Sequence, residues 1–214
     1  MMPHLAEAKR LAQMLKGLVK EANRLDTSKA LGGTGKNAVA RTYEFYVDFR
    51  ILCDLLGDWE LKLVNHGGKK IVRFPHAPSD KANYPYFEAS NSGRVHFQVC
   101  LGTMITGTNG STFSPDLSIQ AANASLTPCS PDFVFGWDQK HTSNNRLNRD
   151  ETAKVSAHLK IVPPLAKGSV TPFQSSNWPN CCCVVTNASC STVTPGDLVV
   201  WEISEVYDCT PGKT

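Results

Sequence analysis

The run AVARTYEFYVDFRILCDLL, residues 38–56, constrains the fold more than any other stretch of the chain. Asn37 stands ahead of it as a cap and Gly57 behind it as a stop, so it reads as a helix. Apolar side chains occupy nearly its whole circumference, and such a helix has to be covered on more than one side. It is therefore central. Arg41, Glu44 and Asp48 fall on one stripe of it, where unpaired charge is costly. They need either one another, as an ion-pair cluster, or a site that uses them.

A second amphipathic pattern lies ahead of it. Leu5, Ala8, Leu11, Ala12, Leu15, Leu18, Val19, Ala22 and Leu25 recur at three- and four-residue steps, predicting a helix that ends near Asp26. Its stripe must pack on this chain's own core or across a dimer. LGGTGKN is a flexible connector, so the chain divides into an N-terminal helix, residues 1–30, and a core domain, residues 37–214. From Trp59 the period changes to that of strands. WELKLV and KKIVRF flank Asn65, His66, Gly67 and Gly68 as a hairpin would. A polar loop follows, then three apolar runs, RVHFQVCLGTMI, PDLSIQA and PDFVFGWDQK, separated by turn residues. TAKVSAHLKIV predicts a helix closed by Pro163 and Pro164, and NCCCVVTNA and DLVVWEISEV predict strands. A buried helix, several strands, a helix and a strand, with no internal repeat, argue for an α/β sandwich.

Composition bounds the remaining possibilities. With 41% hydrophobic and 19% charged residues the chain is far from the disordered regime, and 214 residues suit one core with additions. A formal net charge of +3 permits a polyanionic partner, but charge placement has to carry that argument. The N-terminal helix is charged throughout and no segment has the length of a membrane span, so a soluble cytoplasmic protein without a membrane partner is expected. Cys181, Cys182 and Cys183 are consecutive in an apolar run and read as reduced core thiols. No CxxC pair or Cys/His spacing suits structural zinc. The NGS and NAS triplets are incidental without a secretory route.

Chemistry concentrates at two strand ends. Pro115-Asp116 opens PDLSIQA, and Asp138-Gln139-Lys140 closes FVFGWDQK. Asp138 and Lys140 alternate with Gln139, so on a strand they share a face. If the two strands pair, Asp116 meets Asp138, and the two carboxylates with the main-chain carbonyl of Gln139 supply the hard oxygen ligands preferred by Mg²⁺, with Mn²⁺ as a substitute. Lys140 then sits beside the metal-bound water. Phosphodiester hydrolysis needs a bound hydroxide and neutralisation of transition-state charge, which a carboxylate-held cation with an adjacent ammonium provides.

In Pro115, Asp116, Asp138 and Lys140 the chain resembles the PD-(D/E)xK, or restriction-endonuclease-like, superfamily, and the element order fits that superfamily's core. The resemblance runs from the central helix to NCCCVVTNA. It implies a three-layer α/β sandwich with a mixed central sheet flanked by helices. It also implies a Mg²⁺-dependent DNA endonuclease, such as a restriction or defence enzyme. Asp116 and Asp138 would bind the metal, Lys140 would position the attacking water, and Glu44 of the preceding helix would approach the metal. Cutting both strands of duplex DNA favours a homodimer. The alternative is a non-catalytic nucleic-acid-binding or assembly protein with the same fold.

Other patterns compete with this site. Glu60-Leu61-Lys62 repeats the acidic-x-Lys triplet on a strand but lacks an upstream Pro-Asp, and Glu7-Ala8-Lys9 lies on a helix. Pro131-Asp132 starts the same strand that carries Asp138, which puts it roughly 20 Å away at about 3.3 Å per residue. GGTGK is too short for a phosphate loop, and Asn37 stands where Ser or Thr would touch Mg²⁺. Beyond the site, Lys140, His141, Asn144, Asn145, Arg146, Asn148 and Arg149 mix cations with amides, as a DNA-contacting segment or a polar loop would. Lys69, Lys70 and Arg73 form a second basic cluster. His96 and Gln98 alternate along their strand as sheet-packing residues.

Overall fold

A computed structural model of the chain describes residues 3–19, 22–24, 38–64, 72–75, 77–166 and 170–211. The Asn37 cap, the GGTGK segment, Lys69, Lys70 and the turn residues 65–68 lie outside the described residues.

Helix α1, Pro3–Leu18, presents Ala8, Leu11, Ala12 and Leu15 as one buried stripe, while Glu7 and Arg10 form an ion pair of 2.6 Å on its outer side. That stripe packs on α2, Ala38–Leu55, the helix that is apolar all round. Tyr43, Phe45, Tyr46, Val47, Phe49, Ile51, Leu52 and Leu55 are all buried because α1 covers one side of α2 and the sheet covers the other. The apolar stripe of α1 is thus used within this chain's own core.

The main sheet has seven strands in the order β1-β2-β3-β6-β7-β9-β11. They are β1 Glu60–Val64, β2 Tyr86–Asn91, β3 Arg94–Leu101, β6 Leu117–Ala121, β7 Phe133–Lys140, β9 Cys183–Thr186 and β11 Ser204–Val206. Short pairs β4 Ile105–Thr106 with β5 Thr112–Phe113, and β8 Arg146–Leu147 with β10 Cys190–Ser191, lie outside it. The first five strands are antiparallel in succession, and β7, β9 and β11 are parallel. Helix α3, Arg149–Ile161, makes the crossover that parallel pairing of β7 with β9 requires. Asn148 caps it, its side chain accepting from the Asp150 N–H at 3.2 Å. Alternate residues of β9 feed two cores: Cys183 and Val185 join the large one with α2, and Val184 joins a smaller one with Leu147, Val155 and Ile203. Helices therefore cover both faces of a mixed sheet, an α/β arrangement compatible with three layers.

Three expectations change. β1 pairs with β2, and in the described part of the run that follows β1, Val72 donates its N–H to the Arg24 carbonyl at 3.0 Å. β2 itself lies in the stretch expected to be a polar loop, and joins β3 through Ser92 and Gly93, whose φ values of 51° and 76° suit a tight two-residue hairpin turn. DLVVWEISEV is not one strand. Thr194 and Asp197 form a reciprocal cap that starts helix α4, Pro195–Trp201, and Glu202 at φ 54° ends it before β11.

One buried cation belongs to the fold. Lys81, 1% exposed, donates to Gln98 and, at 2.9 Å, to Gln120, with the Tyr86 ring 4.6 Å from its ammonium. Gln98 is thereby a packing residue, and His96 lies against Trp59 with ring centres 5.1 Å apart. The cysteines are free thiols, with Cys182 and Cys183 buried. No helix among the described residues is long and apolar enough to cross a membrane.

Candidate active site

The two strand ends meet. β6 and β7 are antiparallel with Leu117 opposite Trp137, so the next opposed positions are Asp116 and Asp138. Three contacts hold Asp116 there. Its main-chain carbonyl accepts from the Gly102 N–H at 2.8 Å, its carboxylate Oδ2 accepts from the Gln139 N–H at 2.7 Å, and the neighbouring Pro115 ring lies over Gly136. A Cβ at position 136 would stand 2.8 Å from Pro115 Cγ, closer than carbon atoms pack, so the glycine makes room for the Pro-Asp turn. Asp138 and Lys140 share a face as alternation requires, with Lys140 Nζ 2.9 Å from Asp138 Oδ2.

Helix α2 brings its charged stripe to Asp116. Arg41, Glu44, Asp48 and Asp116 line a cavity of about 190 Å³, together with Pro75 and Gly102. Asp48 does not complete an ion-pair cluster with Arg41. It is 4% exposed, and its Oδ1 accepts from Gln139 Nε2 at 2.6 Å. A larger cleft of about 560 Å³ opens between β7, α3 and α4, lined by Phe135, Leu159, Pro163, Val200 and Trp201. Its described walls bring no two carboxylates together, so volume alone does not choose the site.

The electrostatics follow from crowding acids in a half-dry cleft. Burial, reinforced by Asp138 and opposed by Lys140, pushes the Asp116 carboxyl up to about 8. Burial also raises Glu44, with Lys140 and Arg41 pulling it back, and holds Asp48 well above the usual carboxylate range despite the Gln139 donor. For Lys140, burial disfavours the ammonium, but Asp138 and Asp116 outweigh it and hold the group above its ordinary value. A carboxyl that burial keeps protonated even beside Lys140 is one from which a hard cation would displace the proton.

The donor set fits such a cation in kind. Asp116 and Asp138 each have one oxygen engaged, by Gln139 N–H and by Lys140, and the main-chain carbonyl of Gln139 directly follows Asp138 in sequence. No group of three or more His, Cys, Asp or Glu side chains among the described residues is placed to hold a metal, so main-chain oxygen and solvent would have to complete the shell.

The competing motifs have other partners. Lys62 faces Glu88 across β1 and β2 at 3.6 Å on the surface, Glu7 pairs with Arg10, and Asp132 accepts from the Cys129 N–H at 3.0 Å to close a turn. Within the segment after the site, internal bonds take much of the polar capacity. Asn144 accepts from the Arg146 N–H, Asn145 exchanges hydrogen bonds with Ser189, and Asn148 caps α3. Arg149 pairs with Asp197 at 2.8 Å and lies over the Trp201 ring. Arg146 is exposed. His141 packs against Tyr43 and His4, with ring centres 5.7 and 5.9 Å away, and burial lowers its pKa.

The Gln139 side chain, Gly136 and Gly102 carry no chemical signature in the sequence, and their part in the site comes only from what they touch. Comparison of the chain with family models, curated proteins and solved structures gave no match.

Proposed function

We propose that this protein is a Mg²⁺-dependent DNA endonuclease of the PD-(D/E)xK type, with Mn²⁺ able to replace Mg²⁺, acting in restriction or defence. The observation that carries the reading is the opposition of Asp116 and Asp138 on paired strands, with Lys140 in contact with Asp138. When bound, the metal supplies a hydroxide nucleophile at neutral pH and charge neutralisation at phosphorus. Asp116, Asp138 and the Gln139 carbonyl would hold it. Lys140 keeps its proton at Nζ and presents a cation to the phosphate oxygens, while Glu44 borders a cavity with Asp116. Among the expected DNA contacts, Arg146 is an exposed cation. Cutting duplex DNA as a two-fold dimer would need a surface other than the α1 stripe, which is spent on α2.

The test is cleavage of duplex DNA with and without Mg²⁺. Asp138→Ala and Lys140→Ala are each expected to reduce the rate on the order of 10²-fold or more, as loss of a transition-state electrostatic partner does. Cleavage at the wild-type rate by both variants would remove the site.

A second reading, a non-catalytic nucleic-acid-binding or assembly protein of this fold, is favoured by the absence of a three-side-chain metal group among the described residues. Calorimetric titration with Mg²⁺ or Mn²⁺ separates the two. No heat that depends on Asp116 and Asp138 would support the second.

A further inference from the structure

Gln139 occupies an unusual position. Its main chain serves the sheet side of the site, where its N–H donates to Asp116 Oδ2 at 2.7 Å. Its side chain, alternating with Asp138 and Lys140, goes to the α2 face and donates to Asp48 at 2.6 Å. Both partners are nearly sealed from solvent, Gln139 at 3% exposure and Asp48 at 4%. The amide oxygen of Gln139 is buried with no hydrogen-bond partner among the described residues. A buried polar pair left part-satisfied is poor stability design, since apolar residues of the same shape would serve as well. The pair joins residues 91 positions apart and ties the end of β7 to α2 one turn beyond Glu44.

We propose that Asp48 is a positioning residue for the candidate site: through its hydrogen bond to the Gln139 side chain it fixes the Gln139 backbone, whose N–H holds Asp116 and whose carbonyl is the proposed metal ligand. Asp48 touches no reacting atom. β7 ends at Lys140, so Gln139 is in the last stretch of strand, where the ladder alone restrains it least. With the side chain clamped to α2, the N–H stays aimed at Asp116. With the clamp gone, φ and ψ at Gln139 are less restrained and the peptides on either side of it can turn. The metal-affinity consequence rests on the nuclease reading above, whereas the effect on the Gln139 peptide does not.

Asp48→Asn keeps an acceptor for Gln139 Nε2 and adds a donor for the unpartnered Oε1, whereas Asp48→Leu keeps the shape and removes both. Gln139→Met removes the clamp from the strand side. Two quantities are measured on the full chain: backbone amide exchange at residue 139 without metal, and the Mg²⁺ dissociation constant by calorimetry. Asp48→Asn is expected within about twofold of wild type in both. Asp48→Leu and Gln139→Met are expected to speed exchange at residue 139 at least tenfold and weaken Mg²⁺ by about 10- to 100-fold, the range for residues behind metal ligands. Should Asp48→Leu fail to fold, Gln139→Met carries the same comparison. Wild-type exchange in both of these variants overturns the proposal. So does Asp48→Asn falling as far as Asp48→Leu, which would make the carboxylate itself the requirement. Wild-type protein that binds no Mg²⁺ sinks the nuclease reading, and the exchange measurement alone then decides the positioning role.

Discussion

Asp116 combines two demands that conflict without a cation: it is fixed by three neighbours and set among Asp138, Glu44 and Asp48 in a poorly hydrated cleft. Its folded-state pKa of about 8 lies above that of the same group in the unfolded chain. Between the usual carboxylate range and about 8 the native state therefore holds a proton that the unfolded state has released, and stability falls as pH rises through that window. Glu44 and Asp48, both raised, act in the same direction. The melting temperature of metal-free protein is thus expected to drop between about pH 5 and about pH 8, and Asp116→Asn to flatten the decline. A flat profile in the wild type would mean that the carboxyls ionise freely. Adding Mg²⁺ at pH 7 should expel protons, read as a binding heat that changes with the ionisation enthalpy of the buffer.

Among the elements, the β6–β7 pair sets the geometry, and Gly136 is its most exacting position. Gly136→Ala puts a methyl 2.8 Å from the Pro115 ring and 3.2 Å from the Leu117 carbonyl, so Pro115 must move and carry Asp116 with it. The expected result is destabilisation of about 1 to 3 kcal/mol, typical of overpacking, with a fall in Mg²⁺ affinity larger than the same loss of stability produces elsewhere in the sheet. Denaturant unfolding beside Mg²⁺ titration checks both. The sequence made this pair legible because its information is local: the D-x-K alternation and the Pro-Asp strand start are short-range patterns. β2 was harder to see, since Glu88 and Ser90 alternate with its inward residues amid prolines and asparagines. α4 was hidden because Leu198, Val199 and Val200 look like strand residues, and the Thr194 to Asp197 cap that makes them helical is one polar pair ahead of the apolar run. The Asp48 to Gln139 and Lys81 to Gln98 contacts are tertiary. No periodicity announces them.

Across the whole molecule, α2 works as a shared wall: its outer side receives α1, its inner side backs the sheet, and its polar stripe borders the cavity. Stability and site geometry are therefore coupled through one element. Leu11 at 5% and Leu15 at 0% exposure fill the α1 to α2 contact. Leu15→Ala is expected to cost about 2 to 5 kcal/mol, and the Leu11→Ala, Leu15→Ala pair to consume much of the roughly 5 to 15 kcal/mol that holds a domain of this kind together. The urea midpoint should fall accordingly and should not depend on protein concentration, because the contact lies within one chain. A helix that served instead as a dimer interface would behave differently: its substitution would shift the oligomeric state and leave the midpoint of the isolated protomer in place. If the midpoint of Leu15→Ala matches wild type at low protein concentration, α1 does not support α2, and the site would have to keep its shape without it.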